Sequence, residues 1–186
     1  MDKGVIYVAY GKKAKEEARQ SIASLKKHHD WPIHTVTEKD LPDRGEPGRW
    51  AKVSLNLMTP YEYTLFLDAD TRVKGDLSVG FGALANGWEI VMVPSGPQEN
   101  EALGHLLPQE RAETVKEFDF FPLQLNTGVI WFRKTERLHK FFEQWRQEWL
   151  RWKSKDQGAF LRALNKRPVS ILLLGKAFNG GDVVEH

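Results

Sequence analysis

The sequence contains no cysteine. Disulfides and thiolate metal sites are excluded, and the composition suits a reducing compartment. Charge of one sign is also scarce. The net charge is +2 and the pI near 8.7, far from the dense cationic face that nucleic-acid affinity requires. Slight positivity is compatible with a diphosphate substrate. No run approaches the roughly 18 apolar residues of a membrane helix. The opening MDKGVIYVAYGKK has only a short apolar run followed by lysines, which reads as a first strand and not a signal peptide. Internal repeats, low-complexity tracts and linkers are absent. The expectation is a cytoplasmic, soluble protein without a membrane span, its 186 residues forming one domain large enough to bury a core.

What is present alternates. Short β-rich runs stand at Val5–Ala9, Ile33–Val36, Tyr63–Leu67, Ile90–Val93, Thr127–Phe132 and Val169–Leu174. Helical spacing covers Lys13–His28, Trp50–Met58, a short piece at Gln109–Glu117, and Asp156–Leu164. A long amphipathic helix carries Leu138, Phe141, Phe142, Trp145 and Trp149 on one face. Those tryptophans, with Trp152, read as core or a helix seam in preference to a sugar platform. Strands alternating with helices predict an α/β fold with a mixed, mostly parallel central sheet flanked by helices. Between Ser95 and Pro122 the pattern breaks down, and this stretch is expected to be a mobile loop over a site.

The chemistry concentrates in Tyr63-Thr-Leu-Phe-Leu-Asp-Ala-Asp70-Thr-Arg-Val73. A continuous apolar strand of the kind buried on both faces runs directly into two acids separated by Ala69. If the chain stays extended, Asp68 and Asp70 project to the same side, beyond the carboxyl end of a strand, where open α/β sheets bind ligands. Paired carboxylates repel unless something positive lies between them. A hard divalent cation, Mg²⁺ or Mn²⁺, meets that need. The alternative is a solvated turn.

The run LFLDADTRVKGDL resembles the metal-binding signature of the GT-A glycosyltransferases, and is most similar to glycosyltransferase family 8, the glycogenin and lipopolysaccharide glycosyltransferase group. Other segments match in the family's order. Val5-Ile-Tyr-Val-Ala-Tyr10-Gly resembles its first strand, whose end contacts the base, so the resemblance assigns Tyr7, Ala9 and Tyr10 to the nucleotide, Tyr10 foremost, the plainer reading of the two tyrosines being core and rim. Arg49-Trp-Ala-Lys52 stands where the family has a basic residue near the sugar diphosphate. Leu125-Asn126-Thr-Gly128-Val resembles its Asn-x-Gly strand, and Lys155-Asp156-Gln157-Gly158 its Asp-Gln helix start. The resemblance implies a GT-A fold, Asp68 near ribose and metal with Ala69 beside it, and Asp70 on the metal. It also implies a histidine as third ligand on a late strand. His186 in Val183-Val-Glu-His186 is the candidate, a chain-end or tag residue being the alternative. The family's His-x-x-Gly-x-x-Lys extension is not in this sequence. Phe178-Asn-Gly-Gly181 reads as a loop near the diphosphate.

Each assignment has a plainer counterpart. Asn126 and Gly128 could form a turn or, as the resemblance implies, bind a sugar hydroxyl. Asp156 and Gln157 could open a helix as caps or act in catalysis, Asp156 as a fixed carboxylate beside a developing oxocarbenium ion. Arg49 and Lys52, three apart, share a helix face that is either solvated or turned to the diphosphate. His28, His29, His34, His105 and His139 lack metal-ligand spacing and read as surface or capping residues. The resulting expectation is transfer of a hexose from a nucleotide-diphosphate sugar, UDP foremost, to an acceptor hydroxyl, with retention implied by the resemblance. A sugar nucleotidyltransferase and a non-catalytic nucleotide-sugar-binding domain are the alternatives. So small a chain leaves the acceptor site small or completed by a partner, a homo-oligomer being one arrangement.

Overall fold

In the computed structural model, residues 1–41, 47–95, 103–104, 106–120 and 122–186 are described. Of the stretch from Ser95 to Pro122, expected as a mobile loop, residues 96–102, 105 and 121 lie outside them, His105 among these.

Six strands form the main sheet: β1 (Lys3–Val8), β2 (Ile33–Val36), β3 (Tyr63–Leu67), β5 (Ile90–Pro94), β6 (Leu125–Arg133) and β7 (Ile171–Leu173). Their order is β2-β1-β3-β6-β5-β7. Neighbours are parallel except at β6, which runs antiparallel to both β3 and β5. Two further short strands, β4 (Arg72–Val73) and β8 (Val184–Glu185), pair antiparallel in a ladder of their own.

The near-continuous apolar strands have the reason expected of them. Ile6, Phe66, Met92, Ile130 and Phe132 feed one core, while Val5, Tyr7, Leu65, Leu67, Val91 and Trp131 feed another. Alternate residues of each strand point to opposite faces, so both parities must be apolar. Helices α6 (Glu136–Trp152) and α7 (Asp156–Lys166) contribute to the first core, with the shorter α2 (Pro47–Lys52) and α3 (Leu55–Met58). Helices α1 (Gly11–Leu25) and α4 (Ser78–Ala85) contribute to the second. Helix α5 (Pro108–Phe118) lies against α7. There the fully buried Arg162 bonds to Glu110, Thr114 and Glu148.

Two sequence expectations need correction, and a third is narrowed. The single helix expected over Trp50–Met58 is two helices, because Ala51, Val53 and Leu55 are all fully buried. Alternate residues cannot share one helical face, so the chain turns at Val53–Ser54. Helix α4 was not anticipated: SVGFGALA carries two glycines, each unfavourable in a helix interior. Gly80 is required, since a Cβ there would overlap the Trp131 indole. Of the two readings of His29, surface or capping, the capping one holds, at the start of α4. Its ring stacks on Trp31 at 3.7 Å, and Nε2 accepts from the Leu77 N–H at 3.0 Å. Among the described residues no helix is long and apolar enough to cross a membrane.

Candidate active site

Strand β3 ends at Leu67, and the chain does not stay extended through the acids as the alternation argument assumed. Asp68–Thr71 is a turn, closed by Thr71 N–H and Oγ1 donating to the Asp68 carbonyl at 3.1 and 2.8 Å. Behind it runs a buried chain of hydroxyls, Tyr7 Oη to Ser21 Oγ at 3.1 Å and Ser21 Oγ to Thr71 Oγ1 at 2.9 Å. The turn, not strand alternation, makes Asp68 and Asp70 converge.

His186 joins them through the β4–β8 ladder. Arg72 pairs with Glu185 and Val73 with Val184, so the residue after β8 is delivered beside the turn before β4. His186 Nε2 stands 3.3 Å from Asp70 Oδ1 and 3.7 Å from Asp68 Oδ2. One ligand atom from each of Asp68, Asp70 and His186 lies within 4.8 Å of the others. Two carboxylates and an imidazole suit Mn²⁺ in ligand type, and Mg²⁺ less well because it prefers oxygen ligands alone. The packing also fits: a Cβ on Gly128 would overlap the His186 ring and crowd Asp68. Gly128 is therefore the floor of this cluster. The hydrogen bond between Asp70 and His186 holds the Asp70 carboxyl below its ordinary range against the opposing effect of burial. The same bond raises the imidazole, again against burial.

Beside this cluster lies a second one. Lys52 Nζ donates to both Asp68 oxygens at 2.9 Å and stands 3.3 Å from Asp156 Oδ2. Burial opposes the Lys52 charge, but Asp156 and Asp68 outweigh it and raise the ammonium. Burial would likewise raise Asp156, yet Lys52 and a hydrogen bond from Thr127 hold it low. Asp68 shifts the other way: burial raises it, Asp156 adds to that, and Lys52 offsets only part. Asp156 is the first residue of α7, and the preceding Lys155 makes no side-chain cap bond. The approach to α7 is fixed by indole N–H groups of α6, Trp145 to the Asp156 carbonyl at 2.9 Å and Trp149 to the Ser154 carbonyl at 3.1 Å. Those tryptophans are core residues with a polar task.

Both clusters open into a cleft of about 1110 Å³ along the carboxyl ends of β1 and β3. Tyr10, Arg49, Lys52, Asp68, Ala69, Asp70, Asn126, Asp156, Gln157 and His186 all line it. Asn126 Oδ1 also accepts from the Gly128 N–H at 2.8 Å, the local turn that the plainer reading expected. Tyr7, Ala9 and Gly128 do not line the cleft. Tyr7 is fully buried, burial raises its phenol, and it acts through the hydroxyl chain. Ala9 is core. Sequence reasoning missed Lys13, Glu17, Thr127 and Lys155, which line the cleft as well. Lys13 and Glu17 stand four apart on α1, the spacing of a shared helix face, and that signal was available.

No protein-family model matches the sequence, and comparison with curated proteins finds no match. Solved structures do match in shape. Mouse xyloside xylosyltransferase 1 in its apo form superposes with a TM-score of 0.60 at 12% identity, over 95% of this chain and 86% of that one. The apo WbbM bifunctional glycosyltransferase gives 0.66 at 13%, over 97% of this chain and 41% of that one. The Q189E active-site mutant of LgtC gives 0.60 at 14%, over 94% and 74%. The fold is that of the GT-A glycosyltransferases. In a GT-A frame the cleft lies at the edge where open α/β sheets take their ligands, and the two carboxylate clusters stand at its floor.

Proposed function

We propose that this chain is a metal-dependent glycosyltransferase of the family 8 type, moving a hexose from a nucleotide-diphosphate sugar, UDP foremost, to an acceptor hydroxyl with retention. One observation supports this above all. Asp68, Asp70 and His186 converge at the floor of a GT-A cleft, next to a second carboxylate, Asp156, held by Lys52.

The residues divide the work along the cleft. Tyr10 is nearly half exposed (45%) at the β1 end, where its ring is free to stack on a base. Lys13, Arg49 and Lys155 line the same cleft and supply positive charge for a diphosphate. Asp68, Asp70 and His186 would hold Mn²⁺ or Mg²⁺, and a bound divalent ion neutralises the departing diphosphate as a Lewis acid. Lys52 fixes the direction of the Asp68 and Asp156 carboxylates. Asp156 stays ionised and faces the cleft, placed to stabilise positive charge developing at an anomeric carbon. Asn126 and Gln157 are the amide groups available to sugar hydroxyls. Retention needs no separate general base, because a leaving phosphate oxygen can take the acceptor proton.

The test is release of nucleoside diphosphate from a panel of UDP- and GDP-sugars with Mn²⁺, against an EDTA blank. Metal-dependent release from at least one donor is expected. Pyrophosphate in place of nucleoside diphosphate would instead mark a nucleotidyltransferase. Tight binding without turnover of any donor would mark a binding domain.

A further inference from the structure

The loop Phe178–Gly181 has a consequence for His186 that the cleft alone does not reveal. Asn179 is buried, 5% exposed, and lies behind the histidine, away from the acids. Its Oδ1 is 2.7 Å from His186 Nδ1, the ring nitrogen opposite the one facing Asp68 and Asp70. Its Nδ2 is buried with no hydrogen-bond partner among the described residues. A buried amide that leaves both N–H donors of its NH2 group unsatisfied is an unfavourable occupant of a packed interior, where such groups are nearly always paired. Something other than packing accounts for it.

The surrounding chain is shaped to put that amide there. Gly180 has φ of +93°, the left-handed region that favours glycine. A Cβ on Gly181 would overlap the Ala177 backbone. Those two glycines let the chain double back, with the Gly180 and Gly181 N–H groups both donating to the Val184 carbonyl at 2.8 and 2.9 Å. Phe178 anchors the loop edge-on against Trp131. The amide of Asn179 and the ring of His186 are thereby set face to face.

We infer that Asn179 is a positioning residue for the metal site: its Oδ1 accepts the Nδ1 proton of His186 and turns the Nε2 lone pair toward Asp68 and Asp70. A neutral imidazole carries one proton, and the partner of one nitrogen decides what the other can do. An acceptor at Nδ1 leaves Nε2 free to ligate. A donor at Nδ1 would put the proton on Nε2, and the ring would then be an ordinary hydrogen-bond donor to Asp70. With the side-chain oxygen facing Nδ1 the proton is kept there, and the Nε2 proton bonded to Asp70 is the one that a cation displaces. The inference rests on the proposed metal-dependent reading, and its test does not use turnover.

Mn²⁺ affinity is measured by calorimetry on the full chain for the parent and for Asn179→Leu, Asn179→Asp and Asp70→Asn, with circular dichroism to verify folding. Asn179→Leu keeps the volume and removes the acceptor. It should weaken Mn²⁺ binding by about 10- to 100-fold. Asn179→Asp keeps an acceptor at Nδ1 and has no amide donor, so it should bind Mn²⁺ at least as tightly as the parent. Asn179→Leu binding like the parent, while Asp70→Asn does not, would overturn the inference and leave the metal site standing. Asn179→Asp failing as badly as Asn179→Leu would also overturn it, since the acceptor would then not be what matters. Should Asn179→Leu not fold, Asn179→Ala, which also removes the acceptor, takes its place in both comparisons. A parent that takes up no Mn²⁺ would overturn the metal-dependent reading and the inference together.

Discussion

Lys52 Nζ lies 3.3 Å from Asp156 Oδ2 and 2.9 Å from each oxygen of Asp68. One ammonium therefore bridges two carboxylates that would otherwise repel across the floor of the cleft. Lys52→Met should leave the pair uncompensated. Donor turnover is expected to fall on the order of a hundredfold or more, the scale of removing one preorganised electrostatic partner. Lys52→Arg should recover part of it. Steady-state kinetics on both variants provides the check, and parent-like turnover in Lys52→Met would remove the lysine from the mechanism.

Asp156 separates two roles cleanly. Asparagine is close to isosteric and still accepts the Thr127 hydrogen bond, but it has no charge. Asp156→Asn should lower kcat on the order of a hundredfold, about 2.7 kcal/mol, at nearly unchanged donor affinity. If the residue is only structural, the loss appears in stability alone, through its bonds to Lys52 and Thr127, and Asp156→Asn turns over like the parent.

Metal removal tests the Asp68–Asp70–His186 cluster directly. UDP affinity by calorimetry should drop when EDTA is added, and Asp70→Asn should reproduce the drop with the fold intact. UDP binding that is indifferent to EDTA would sink metal dependence.

His29 gives a pH signature outside the cleft. Burial holds its imidazole below the ordinary value of 6.5 even with Asp76 nearby, and its Nε2 must be unprotonated to accept from Leu77. The folded-state value thus lies below the unfolded one. The associated stability is fully present above the unfolded value and is lost as pH falls below about 6.5 toward the folded value. The loss of melting temperature between pH 7.5 and 5.5 should be greater for the parent than for His29→Gln. Equal losses would show that this histidine is not the sensor.

Arg162 is fully buried between Glu110 and Glu148. Arg162→Leu strands the buried Glu110, while Glu148 keeps Arg151 and Lys166, and should cost about 3–5 kcal/mol in urea denaturation. Adding Glu110→Leu should restore part of that, because the uncompensated charge and not the lost bond dominates.

The acids were readable because a strand buried on both faces has no reason to end in two carboxylates separated by one small residue. Lys52 was readable from the resemblance of Arg49-Trp-Ala-Lys52 to the family's basic segment, since its spacing to Arg49 gave only a shared helix face. The break at Val53–Ser54 was not, since it depends on which core each residue enters. The two-residue strands β4 and β8 are too short to show a period, although they bring His186 to the acids. Thr127 and Asn179 are ordinary polar residues in sequence, and their partners, Asp156 and His186, become neighbours only through tertiary contact.

The β4–β8 ladder is two residue pairs long, which makes the closing of this corner a matter of mass action. Whatever cation spans Asp70 and His186 ties β8 down, and ordering β8 in turn raises affinity for that cation. The link is reciprocal, so free metal concentration sets how firmly the corner is latched. At a hundredfold excess over its dissociation constant a ligand adds about 2.7 kcal/mol to the state it prefers, comparable with a substantial share of a small protein's whole stability. On the metal-dependent reading proposed above, this corner would be partly assembled by its cation, and heat resistance should rise and fall with divalent metal supply.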